Sequence, residues 1–315
     1  MTNACPSTVA ASSRAAQAMP GKPDQPRLMG ILNLTPESFS DGGRFFTDGK
    51  TNVPAVVATA LDMARAGAGI IDFGAEATSF HRVGVEPVSP DEQIRRLSPA
   101  LQQTRLELDQ QGFTSVIISI DTRSARVARA ALDSGAGMIN DVAGGRSDPA
   151  ILSLAASARC PVILMHAWPE TPERPPKPRP DVVSEIRTEL QQIKADAIAA
   201  GVGADQILLD PGIGFGKASE DNWRILRSLD TLRTLGVPLA LGISRKRITR
   251  DILPSDMQDW RHRDLATAIL MAALASGSVA IYRVHDIRLC QIALAAMRRL
   301  CRSATNEATT SDHPA

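Results

Sequence analysis

The chain has 315 residues, 43% hydrophobic and 22% charged, with a formal net charge of +1. That is the composition of a globular protein, and the near-neutral balance with only 3% aromatic residues excludes a basic nucleic-acid footprint and a base-stacking platform. No apolar stretch reaches membrane-spanning length. The four cysteines, Cys5, Cys160, Cys290 and Cys301, form no C-x-x-C pair and read as reduced thiols of a cytoplasmic protein.

Residues 1–26 are rich in Ala, Ser and Pro, lack the apolar centre of a secretory signal, and read as a disordered tail. Short apolar runs then recur, nearly all ending on a polar residue: ILNLTPESFSDGG (31–43), GIIDFGAE (69–76), VIISIDT (116–122), MINDVAGG (138–145), VILMH (162–166), ILLDPGIGFGK (207–217), LALGISRK (239–246) and IYRVHD (281–286). A strand of a parallel sheet, covered on both faces, reads as such an unbroken run. The stretches between them, among them VPAVVATALDMARAG, ARVARAALDSG and VVSEIRTELQQIKADAIAAG, carry helical apolar spacing and stop at glycines such as Gly67, Gly135 and Gly201. Eight strands alternating with helices predict an α/β fold, a single (β/α)8 TIM barrel over 27–300, with a second disordered tail at 301–315. The proline-rich stretch 168–181 reads as an extended surface loop.

A barrel of this kind gathers its chemistry at the carboxyl ends of its strands. Those ends offer Asp72, Glu76, Asp121, Asn140, Asp141, Asp210 and Asp286, the cations Lys217, Arg245, Lys246 and Arg283, the ring of His285, and the smaller polar groups Asn33, Thr35, Thr78 and Ser244. Carboxylates and an amide deep in a cavity suit the N–H edge of a flat heterocycle, and the cations suit an anionic end of the same ligand. Singly, an acid at a strand end is more often a turn former or helix cap, and that reading is preferred for Asp72, Glu76, Asp141 and Asp286. Asp121, Asn140 and Asp210 directly follow buried runs and are expected near the barrel axis. His166 is evenly divided between core histidine and site residue. DPGIGFGK fails the phosphate-loop spacing and has Ala218 where that motif needs Ser or Thr; it reads as a loop that approaches a ligand closely, with Phe215 as a wall. No zinc-ligand cluster and no nucleophile signature is present in the sequence.

Taken in order, MGILNLTPESFSDGG, SIDT, INDVAGG, ILLDPGIGFGK, SRK and RVHD resemble the dihydropteroate synthases, from about Leu28 to Arg299. The resemblance implies condensation of p-aminobenzoate with 7,8-dihydropterin-6-ylmethyl diphosphate, a folate-synthesis step and the target of sulfonamides. It implies that Asp121, Asn140, Asp210 and Lys246 hold the pterin, and that Asn33, Arg283 and His285 hold the diphosphate, with Mg2+ near Asn33. Thr78, Arg82, Phe215 and Ser244 would frame p-aminobenzoate, with Asp121, Asp210, Lys246 and Asn33 closest to the chemistry. A homodimer formed through barrel helices is the corresponding expectation. Two departures stand out. GAEATSFHRVGVEP carries three extra residues, Ser79, Phe80 and His81, which displace Arg82 and border the p-aminobenzoate side, and Arg247 follows SRK where a small hydroxyl residue is common. Two other readings stay open: a methyltetrahydrofolate-dependent methyltransferase barrel, and a pterin-binding paralogue without turnover.

Overall fold

The structure, a computed structural model, describes residues 25–34, 45–47, 50–74, 88–169, 176–274 and 278–307. The strands are β1 (Arg27–Asn33), β2 (Phe46–Thr47), β3 (Lys50–Thr51), β4 (Ile70–Gly74), β5 (Ile117–Asp121), β6 (Met138–Asp141), β7 (Val162–Met165), β8 (Ile207–Asp210), β9 (Leu239–Gly242) and β10 (Val279–Val284). The helices are α1 (Val53–Arg65), α2 (Pro90–Gln110), α3 (Ala125–Asp133), α4 (Ala150–Ala158), α5 (Val182–Ala199), α6 (Ser219–Arg227), α7 (Leu229–Arg233), α8 (Arg247–Arg250), α9 (Trp260–Leu274) and α10 (Ile287–Glu307).

The eight apolar runs form one closed parallel barrel in the order β1-β10-β9-β8-β7-β6-β5-β4. β1 closes it by pairing with both β4 and β10, Met29 opposite Ile70 on one side and opposite Arg283 on the other. β2 and β3 make a separate antiparallel hairpin between β1 and α1. At two residues each, they are too short to give an alternating pattern in the sequence.

Local chemistry sets the helix boundaries. The Asn52 side chain accepts the Ala55 N–H at 3.2 Å to start α1. The Ser89 hydroxyl accepts the Glu92 N–H at 3.3 Å to start α2, with Pro90 in its first turn and Asp91 and Glu92 at its positive end. Gly67, just past α1, takes φ +97°, the left-handed conformation its place requires. α10 runs to Glu307, past residue 300 where the sequence reading ends the barrel, because neither glycine nor proline interrupts 287–307. Residues 1–24 and 308–315 of the segments expected as tails lie outside the described residues.

Two apolar regions hold the barrel. One lies between strands and helices and includes Leu32, Phe73, Leu101, Ile139, Leu190 and Tyr282, all buried. The other fills the barrel itself with one residue per strand: Met29, Ile70, Ile117, Met138, Ile163, Leu208, Ala240 and Ile281. Each larger side chain among them contributes about 1.5–3 kcal/mol by leaving water. This plug is also the floor of the functional site.

Candidate active site at the carboxyl ends of the strands

Side chains alternate along a strand, so every second residue beyond the plug also faces the barrel interior. Counting from the plug gives Ile31 then Asn33, Asp72, Ser119 then Asp121, Asn140, Met165, Asp210, Gly242 and Arg283. Ser244 and His285 stand two residues further along the last two strands. The interior is therefore apolar at its floor and polar one layer above, and strand register places these residues side by side: Asp121 opposite Asn140, Met165 opposite Asp210, Gly242 opposite Arg283.

Arg283 organises this layer. Its Nε donates to Asp72 Oδ2 at 2.6 Å and its Nη2 to Asp121 Oδ2 at 2.8 Å. Asp72, fully buried, also accepts from Ser119 Oγ at 2.7 Å and from Asn140 Nδ2 at 3.0 Å. Burial alone would lower the Arg283 pKa, but Asp72 and Asp121 hold it above its ordinary value. The expectation that Asp72 is a turn former or cap is thus corrected: its position two residues beyond Ile70 turns it inward, onto the guanidinium.

Asp210 lies across the layer. Its Oδ1 accepts the Gly212 N–H at 2.7 Å, and burial pushes the carboxyl up against the pull of Lys246. Burial likewise holds the Lys246 ammonium down, to about 8, with Asp210 opposing the shift. Gly242 marks where these groups converge. A Cβ there would stand 3.5 Å from Lys246 Nζ, 3.9 Å from Arg283 Cβ and 4.0 Å from Asp210 Oδ2. Lys246 Nζ also sits 4.4 Å from the centre of the Phe215 ring, which makes Phe215 an apolar wall beside a cation.

At the rim, Ser244 Oγ accepts the His285 main-chain N–H at 3.2 Å and lies 2.9 Å from His285 Nδ1. Burial, Arg245 and Arg283 keep the His285 pKa well below its ordinary value, so the ring is neutral. With the Ser244 hydroxyl donating to Nδ1, the proton is assigned to Nε2, which becomes a donor for an anion. Asn33 ends β1 half-buried, opposite Gly74.

The other strand-end groups have local duties. Asp141 accepts the Ala143 and Gly145 N–H groups at 2.8 and 2.6 Å, a turn former whose pKa burial pushes up to about 6. Asp286 accepts the Leu289 N–H at 2.9 Å at the start of α10. Arg245 makes a two-pronged pair with Asp264 of α9, both distances 2.7 Å. His166 has the outward parity: fully buried, with Nε2 3.1 Å from Glu189 Oε2, it is a core histidine whose pKa burial lowers to about 2. Lys217 is enclosed by main-chain carbonyls. Thr35, Glu76, Thr78, Arg82 and the extra residues Ser79, Phe80 and His81 lie outside the described residues. Ser119, Met165 and Gly242 also face the interior and are not among the expected strand-end groups, although counting by twos from Ile117, Ile163 and Ala240 reaches each of them.

No group of three or more His, Cys, Asp or Glu side chains among the described residues could hold a metal ion. Mg2+ commonly keeps most of its water and binds through one or two protein groups plus substrate phosphates. The Asn33 amide, at the rim and engaged by no described side chain, fits that type of binding.

Comparison with known proteins adds to this geometry. The profile of a family described as pterin binding enzyme matches residues 29–285. The dihydropteroate synthase of Synechocystis sp. is 40% identical over 279 residues, 88% of this chain and 88% of its own. The solved dihydropteroate synthase of Xanthomonas albilineans with 4-aminobenzoic acid is similar at 36% identity and a TM-score of 0.75, over 89% of this chain and 94% of that one. The same Xanthomonas enzyme in complex with 7,8-dihydropteroate aligns at 35% identity and a TM-score of 0.74, over 89% and 95%.

Proposed function

The chain belongs to the pterin-binding enzyme family, among the dihydropteroate synthases, and from that premise we propose that it condenses p-aminobenzoate with 7,8-dihydropterin-6-ylmethyl diphosphate to give 7,8-dihydropteroate and diphosphate. The observation that carries this reading is the convergence of Asp210, Lys246 and Arg283 about Gly242, directly above an apolar floor.

The pterin lies on that floor. Asp210 accepts from its N–H edge, a charge-assisted contact worth about 1.5–3 kcal/mol, and Asn140 and Asp121 hold the ring on the opposite side. Lys246 covers the ring and Phe215 walls off the aryl amine. Arg283, the His285 Nε2–H and Asn33 receive the diphosphate. Asn33 would be the protein contact for a Mg2+ ion carried by the diphosphate, which would supply charge neutralisation at the departing oxygens.

The bond between the methylene carbon and the diphosphate oxygen breaks, and its electron pair leaves with the diphosphate. The methylene carbon becomes electron-poor beside a layer with more carboxylates (Asp72, Asp121, Asp210) than cations (Arg283, Lys246). The amine lone pair of p-aminobenzoate forms the new C–N bond, and the nitrogen then loses a proton. The protein supplies no nucleophile; it supplies position and a fixed electrostatic field.

The same reading includes a homodimer. Leu265 and Ile269 on α9 and Ile292 on α10 are 43%, 56% and 68% exposed, and the two helices pack side by side. An apolar face of that kind is a docking surface, and a second copy of this chain is the occupant that the family resemblance implies. Free, buried Cys160 and Cys290 support a cytoplasmic setting, and no helix among the described residues is long and apolar enough to cross a membrane.

The test is turnover by the purified protein with p-aminobenzoate, the pterin diphosphate and Mg2+. Diphosphate and dihydropteroate are expected in equal amounts. Methyltetrahydrofolate binding with no diphosphate release would instead favour the methyltransferase-type barrel.

A further inference from the structure

Lys217 is 5% exposed and stands outside the interior layer that surrounds the pterin. Its Nζ donates to Gly212 O at 2.8 Å, Phe215 O at 3.1 Å and His166 O at 3.3 Å. Three donors meet three acceptors, which is the full capacity of an ammonium group. Two of the carbonyls belong to the two arms of the loop between β8 and α6, and the third belongs to the end of β7. The ammonium also sits 5.2 Å from the centre of the Trp168 ring. That ring is anchored in turn by its Nε1–H to Glu189 Oε1 at 2.9 Å.

The loop is pressed onto the segment after β7 more closely than a side chain would permit. A Cβ at Gly212 would collide with the His166 carbonyl oxygen, and one at Gly216 would collide with the Trp168 carbonyl oxygen. Both glycines have positive φ, +67° and +65°. Between them the loop presents Phe215 to Lys246. Asp210, by contrast, belongs to β8 and is held by the barrel.

We propose that Lys217 is a positioning residue: its ammonium ties the 211–217 loop to the end of β7 and so fixes the distance between the Phe215 wall and Lys246, on the side where the aryl amine enters. The proposal rests on the condensation reading for its substrate, but the tether itself is a property of the protein alone. Burial holds the ammonium down, to about 7, against the pull of Asp210. A buried cation in that position is retained by the carbonyl cage rather than by an ion pair.

Lys217→Ala leaves the three carbonyls in place and opens a hole of the right chemistry for a small ammonium ion. The expected result is a loss of kcat/KM for p-aminobenzoate of about tenfold or more. The KM for the pterin diphosphate should stay within about twofold, since Asp210 is placed by its strand. Methylammonium chloride should restore much of the lost activity, and sodium chloride at equal ionic strength should not. Amide exchange at residues 212–216, measured without substrates, should accelerate in the variant and slow again with methylammonium; this arm remains decisive if the wild-type protein proves inactive and the condensation reading fails. Unchanged kinetics, losses that methylammonium does not reverse, or unchanged exchange would each overturn the proposal. Where Lys217→Ala does not fold, Lys217→Met keeps the packing of the stem and removes the donors. Wild-type p-aminobenzoate kinetics in that variant, or failure of both variants to fold, would equally overturn it, the latter because Lys217 would then be holding the barrel and not the loop.

Discussion

Asp72 has no exposed surface, and each of its contacts is a donor: Ser119, Asn140 and Arg283. Removing it by Asp72→Ala leaves Arg283 with Asp121 as its carboxylate and leaves the Ser119 hydroxyl and the Asn140 amide without this acceptor, and each buried polar group left unsatisfied costs about 1–3 kcal/mol. Urea unfolding of the variant should show a loss of that size, and a wild-type midpoint would refute this account of the layer. The sequence offered the needed signal. Asp72 follows Ile70 by two, as Asp121 follows Ser119, but a lone acid at a strand end is usually a cap, and Asp141 and Asp286 behave that way. The distinction is one of parity: Asp141 is one residue beyond inward-facing Asn140, so it turns out of the barrel and into its own loop. His166 is separated from the site by the same rule, one residue beyond Met165.

Among the elements, barrel strands were legible because burial on both faces leaves runs dominated by apolar residues, with most polar ones at the inward-facing positions toward their carboxyl ends, such as Asp72 and Ser119. The helices were legible from their 3.6-residue spacing and their caps. Connections were not: the β2–β3 hairpin has too few residues to show a period. An unpaired helix face is likewise invisible in sequence, because an apolar stripe reads the same whether it meets a sheet or a second subunit. α9 and α10 supply such a face. For the proposed homodimer, Ile269→Glu is expected to give a folded monomer, read by light scattering with circular dichroism as the control. A dimer that survives the substitution would place the contact elsewhere.

At the scale of the whole molecule, closure of the barrel is what lets residue 33 and residue 285 share one mouth, and the cost of that enclosure appears in acid. His166 is buried and neutral, with its pKa lowered to about 2. The unfolded chain therefore binds the proton first, and the stabilising contribution, complete above the ordinary histidine pKa, is lost as pH falls toward 2. Between pH 6 and 4.5 this adds a slope of about 1.4 kcal/mol per pH unit. Asp141, pushed up to about 6, works in the opposite direction over part of that range, so the informative quantity is the difference between the wild type and His166→Gln. The variant should show the flatter acid limb, and parallel limbs would mean that the ring is not buried neutral.

In the proposed site, strand ends far apart in sequence share one grip on the pterin diphosphate, and Asp210 is its anchor. The most direct measurement is dihydropteroate formation by Asp210→Asn beside the wild type, with thermal unfolding as the control for folding. The expected result is a folded variant whose kcat/KM for the pterin diphosphate falls by about a hundredfold or more. A folded variant that turns over at the wild-type rate would contradict it.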